Sequence, residues 1–171
     1  MDYATALHEI EAIKQLKARY CRYLDDKDWD QWRSLFDDDF ASEIAGTGGR
    51  QTTGADAFVA YTRKCIGRPS QRTVHHVHAP EVTLTSATTA SGVWAINDVV
   101  RLIPGVTLHG YGHYHETYEK RDGHWRIKTS RLTRLREDIA NPLLPQCIAP
   151  RVRASAAKLA RRTAPRALTN V

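Results

Sequence analysis

The chain has 171 residues, 42% hydrophobic and 26% charged, which is the size and composition of one soluble domain with one core. No apolar run approaches the roughly 18–20 residues that a bilayer span needs, and the charged N-terminus MDYATALHEIEAIKQ lacks the apolar centre of a signal peptide. The net charge of +6 resides in residues 151–171, whose six bases face no acid, so residues 1–150 hold 19 bases against 19 acids and carry no charge signature of a nucleic-acid binder. Three cysteines, Cys21, Cys65 and Cys147, are scattered and odd in number, which argues against a disulfide framework and fits a cytoplasmic protein.

In chain order, Leu7, Ile10, Ile13, Leu16, Tyr20 and Leu24 recur in steps of three or four, a helix with one buried face. DDKD at 25–28 interrupts it, and Asp28 caps a short second helix in which Trp29, Trp32, Leu35 and Phe36 share a face. FASEIA at 40–45 reads as a strand and GTGG at 46–49 as a turn. A third helix is expected from about 54 to 66, with Phe58, Tyr61 and Cys65 inward. From residue 72 the pattern alternates: TVHHVHA, EVTLTS, ASGVWAINDVVRLI, VTLHGYGHYHETYEKR and HWRIKTSRLTRL are strand-like, with turns at IPGV (103–106) and RDGH (121–124). Helices followed by strands indicate an α+β domain, helices packed on a curved sheet. This places one domain at 1–140 and a proline-containing, basic extension at 141–171.

Three groups of residues could carry chemistry. His76 with His78, and His113 with His115, are two apart and share strand faces, so they could ligate a metal or simply face solvent. One buried imidazole could instead move protons, given a partner that fixes its tautomer. Asp98, inside the apolar strand GVWAINDVV, either finds a donor such as His75 or faces water at a strand end. Tyr20 lies on the apolar stripe of the first helix, either as a core residue or as a donor into a cavity, and Asp25 follows five residues later. No G-x-S-x-G elbow is present, and Gly46, Gly48 and Gly49 do not open a βαβ unit.

ARYCRYLDDKDWDQWRSLFDDDF, HHVHAPEVTLTSATTASGVWAINDVV and GYGHYHETYEKRDGHWRIKTSRLTR together resemble the SnoaL-like proteins of the nuclear transport factor 2-like superfamily, over roughly residues 5–136. The resemblance implies a cone-shaped α+β barrel, three N-terminal helices in a strongly bent antiparallel sheet around an apolar pocket. The chain looks most like the scytalone dehydratase and bile-acid 7α-dehydratase branch. Carried over by position, that branch implies Tyr20, Asp25, His75 and Asp98 as catalytic residues, with Asp98 backing His75. His76 is the rival for the histidine role, since adjacent strand residues face opposite sides. Trp94, His113 and Arg131 are expected to contact substrate, Arg131 because it shares strand parity with Trp125 and Ile127.

The implied activity is a cofactor-independent, metal-free dehydratase acting on a small apolar oxygenated ring compound. A ketosteroid-type isomerase, a polyketide cyclase, or a non-catalytic binding protein or subunit are the alternatives. The expected partners are the small-molecule substrate and further copies of the chain in a homodimer or homotrimer, with no nucleic acid and no membrane.

Overall fold

A computed structural model describes residues 2–45 and 50–141. The turn expected at 46–49 and the basic extension beyond Asn141 lie outside the described residues. Helix α1 spans Tyr3–Asp26, and its N-cap Asp2 accepts from the Thr5 backbone N–H at 2.9 Å. Its buried face runs Ile13, Leu16, Tyr20, Cys21 and Leu24, as the spacing implies, whereas Leu7 is exposed in the first turns. Two charged residues, Glu9 and Lys17, also lie on that buried face. Asp28 caps the short α2 (Trp29–Arg33), accepting from the Gln31 N–H at 3.3 Å.

Strand β1 (Phe36–Ile44) begins four residues earlier than expected, because Phe36 and Phe40 are both drawn into the core. Their rings stand 4.6 Å apart, and Trp32 and Phe58 complete the cluster at 5.0–5.5 Å from Phe36. β2 (Arg50–Thr53) is followed by α3 (Ala55–Ile66), which buries Phe58.

The remaining strands are long: β3 (Thr73–Leu84), β4 (Thr89–Ile103), β5 (Val106–Arg121) and β6 (His124–Ala140). TVHHVHA and EVTLTS form one strand, bulged between His78 and Glu81, where Ala79 takes a left-handed φ of 46° before Pro80. Asp122 and Gly123, both at positive φ, make the β5–β6 hairpin turn. The sheet order is β2-β1-β6-β5-β4-β3. Every pairing is antiparallel except β1 with β6, which is parallel, so the sheet is mixed along that one seam. The helices occupy its concave face, with α1 against β3 and α3 against β1, giving the α+β architecture expected. No helix among the described residues is long and apolar enough to cross a membrane.

Candidate active site

Helices and sheet enclose a cavity of about 230 Å³. Leu24, Phe58, Val100, Leu102, Leu108 and Leu132 supply much of its apolar wall, and Tyr20, His75, Asp98, Tyr114, Ser130 and Arg134 its polar groups. The lining includes Cys65, an exposed residue, so the cavity reaches solvent there.

Strand alternation places His75, not His76, on the cavity side: Thr73, His75 and Val77 turn inward and His76 outward. β3 is the edge of the sheet, and the end of α1 packs against it. Asp25, in the last turn of α1, therefore reaches the free edge. Its Oδ2 accepts the His75 backbone N–H at 2.8 Å, and its Oδ1 lies 2.7 Å from His75 Nδ1. The Thr73 hydroxyl donates to the same Oδ1 at 2.8 Å and itself accepts from Lys27 Nζ at 2.7 Å. An ammonium can only donate, so Thr73 must pass its proton to Asp25. Burial pushes the Asp25 carboxyl up, but the His75 and Thr73 hydrogen bonds and the imidazole charge outweigh it, and the net value lies below the ordinary one. A carboxylate that accepts at Oδ1 holds the proton of the imidazole on Nδ1 and leaves Nε2 for the cavity.

This corrects the expected backing of His75. Asp98 is the cross-strand neighbour of His75 and is buried, but its carboxylate is taken by Arg134, with Nη1 on Oδ1 and Nη2 on Oδ2 at 3.1 Å. The intervening residue explains how. Asp98 faces Gly110 on β5, and a Cβ there would collide with both the Arg134 guanidinium and the Asp98 carboxylate. Glycine at 110 lets an arginine from β6 reach across β5.

The substrate contacts expected of three residues are also corrected. Trp94 is inward but buried; its indole N–H donates to Tyr118 Oη at 2.7 Å, and it lies outside the cavity lining. His113 is on the outer face with His115, their rings 6.3 Å apart, because Tyr114 takes the inward position. Arg131 is exposed and pairs with Glu43 at 3.4 Å. Its parity fails because the β5–β6 register shifts between Tyr118–Ile127 and Thr117–Thr129. The extra β6 residue turns Ser130, Leu132 and Arg134 inward instead. Among the described residues, no three His, Cys, Asp or Glu side chains are grouped to hold a metal ion.

Tyr20 lines the cavity as the helical stripe allows, and Tyr114 joins it from β5, ring centroids 6.0 Å apart. Burial pushes both phenols up, so they are neutral donors. Beneath them Lys17 and Glu116, both fully buried, pair at 2.6 Å, with the ammonium 4.0 and 3.8 Å from the Tyr20 and Tyr114 ring centroids. Tyr118 and Ser130 donate to the same carboxylate at 2.6 and 3.0 Å. Sequence reading missed Arg134, Tyr114 and the Lys17–Glu116 pair. A lysine on an apolar helical stripe was the available signal for the pair; the path that Gly110 opens between Arg134 and Asp98 exists only once β4, β5 and β6 are paired.

Known proteins show the same architecture. A crystal structure of a scytalone dehydratase-like protein from Novosphingobium aromaticivorans is 26% identical, with a TM-score of 0.70 over 83% of this chain and 97% of that one. The hexachlorocyclohexane dehydrochlorinase LinA-type3 of Novosphingobium barchaimii, 17% identical, shares the fold at a TM-score of 0.71 over 81% of this chain and 94% of that one. The "Probable cyclase FGR4" of Gibberella zeae is 25% identical over 133 aligned positions, covering 72% of this chain and 89% of the relative. The SnoaL-like domain family matches residues 5–131, and the chain belongs to that family, within the nuclear transport factor 2-like superfamily.

Proposed function

We propose that the protein is an enzyme of the lyase or isomerase type, and specifically a dehydratase that needs no cofactor or metal and acts on a small, uncharged, oxygenated ring compound such as a polycyclic ketone or steroid-like molecule. The observation that carries this reading is the Asp25–His75 pair, held at 2.7 Å on the wall of a mainly apolar cavity with Nε2 left for a ligand. Family membership and the dehydratase and cyclase relatives support the broader class.

In this reading a ring carbonyl acidifies the neighbouring C–H, and His75 Nε2 removes that proton. Asp25 stabilises the imidazolium that forms. Tyr20, with Tyr114 beside it, donates to the carbonyl oxygen as negative charge develops there. The enolate then collapses: the carbon–carbon double bond forms, the C–O bond to the β-hydroxyl breaks, and the imidazolium proton leaves with the hydroxyl as water. Atoms and charge balance, and His75 returns to its starting form. Asp98 and Arg134 neutralise each other at the cavity wall, which favours an uncharged ligand over an ionic one. The buried indole N–H of Trp32, a cavity residue, has no partner among the described groups and could donate to a second oxygen of the substrate. The cyclase relative favours one variant of this chemistry, in which the same enolate closes a ring instead of expelling water.

The cytoplasmic location and the assembly as a homodimer or homotrimer belong to the same proposal. Light scattering on the purified chain would size the assembly. The function itself is tested by incubating wild type and His75→Ala with a panel of hydroxylated ring ketones and reading loss of water by mass spectrometry. Turnover by wild type that His75→Ala loses, with ligand binding retained, supports the dehydratase. Binding without turnover in both proteins sinks it.

A further inference from the structure

Lys27 occupies a position that helix chemistry assigns to glycine. It caps α1 with φ 62° and ψ 28°, the left-handed conformation that a side chain disfavours. Its ammonium is also partly buried, and burial lowers its basicity against the opposing pull of Asp25. Glycine would relieve both costs. The ammonium has the Trp29 ring at 6.0 Å, and the side chain ends in a closer, well-formed contact: Lys27 Nζ to Thr73 Oγ1 at 2.7 Å, then Thr73 Oγ1 to Asp25 Oδ1 at 2.8 Å, then Asp25 Oδ1 to His75 Nδ1 at 2.7 Å. Strain at a site whose surroundings impose it points to a functional constraint.

We propose that Lys27 is a positioning residue for the Asp25–His75 pair, acting through Thr73 to hold Asp25 as the acceptor that keeps the imidazole proton on Nδ1 and Nε2 toward the cavity. This rests on the reading of His75 as the proton carrier. The other groups that face the pair leave this role to Lys27. From α1, Tyr20 and Cys21 are neutral, the Cys21 thiol being pushed up to about 11 by burial, and Lys14 is paired with Glu11. From β4, Asp98 is neutralised by Arg134 of β6. On β3 itself, His76 and His78 face outward. The relay runs from a cation that can only donate, through a hydroxyl whose direction is thereby set, to a carboxylate that can then only accept.

The test is nuclear magnetic resonance of the full-length protein with isotope-labelled histidine and aspartate. Wild type is expected to show a far-downfield His75 Nδ1–H resonance, assigned by its loss in His75→Gln. In Lys27→Gly and in Thr73→Val that resonance broadens or disappears through faster exchange with water, and the Asp25 carboxyl titrates closer to the ordinary carboxylate range. Lys27→Arg keeps both signatures. Lys27→Gly melts at or above the wild-type temperature, because it removes strain, whereas a merely structural Lys27 would lower it. An unchanged resonance and an unchanged Asp25 titration in both Lys27→Gly and Thr73→Val overturn the inference while leaving the proposed function standing. A wild-type protein with no such resonance removes the Asp25–His75 pairing, and with it both the inference and the proposed function.

Discussion

Two clusters of charge meet α1 about two turns apart, one at Lys17 and one at Asp25, and they are built differently. Around Glu116, every polar group is answered inside the protein: Lys17, Tyr118 and Ser130 bond the carboxylate, and the Trp94 indole completes the chain. Around His75, the bonds stop at the cavity wall. Asp25 accepts three hydrogen bonds from Thr73 and His75, and His75 lines the cavity with no partner on Nε2 among the described residues. A saturated cluster fixes a fold, because any displacement leaves a buried charge unpaired. A cluster with one unfilled position can do chemistry, because a ligand completes it.

The largest expected effect tests the open cluster. His75→Ala should lower turnover by about 10²–10⁴-fold with little change in melting temperature, as measured by steady-state kinetics beside a thermal melt. Tyr20→Phe should follow, at roughly 10²-fold in kcat, if its hydroxyl stabilises the developing oxyanion. The closed cluster should behave in reverse. Lys17→Met leaves Glu116 charged and unpaired and should destabilise the fold by about 3–5 kcal/mol in urea denaturation, while the double variant Lys17→Met, Glu116→Gln should recover much of that. A Lys17→Met protein that is as stable as wild type but inactive would erase the contrast between the clusters.

Gly110→Ala should cost about 1–3 kcal/mol in urea denaturation, because the added methyl separates Arg134 from Asp98; Gly123→Ala, with open space but a φ of 78°, shows the cost of backbone strain alone. The smallest effect is in pH. The Asp25 carboxyl is held low in the folded state, so its contribution to stability is present above the ordinary carboxylate value and is lost as pH falls through the lowered folded value. Asp25→Asn should flatten that part of the acid-denaturation curve, where Asp39→Asn, at the surface, should change it less.

Much of this molecule follows from local pattern. The stripe of α1, the Asp28 cap, the bounds of α3 and the β5–β6 turn each depend on a few neighbouring residues, and each stands where periodicity and turn chemistry place it. Tyr20 lines the cavity for the same reason, whereas the strand period says only that one of His75 and His76 points inward, and the family resemblance, not the period, chose His75. Arg131 shows where that reasoning ends. Parity is a local rule, and one extra residue between Ile127 and Thr129 reverses it for the rest of β6, exchanging Arg131 for Arg134 in the cavity. His113 and Tyr114 differ likewise by a single step.

The sequence by itself therefore determined the helices, the long strands after residue 72 and which residue types were available for proton transfer, but not β2 or the early start of β1. Tertiary structure alone decided who partners whom. Asp98 stands beside His75 along the sheet, yet Arg134 takes it, because Gly110 leaves a path across β5. Asp25 serves His75 instead, because the end of α1 packs on the free edge of β3, where a backbone N–H was still unpaired. Hydrogen bonds between elements far apart in the chain depend on how those elements pack, and no local period encodes that.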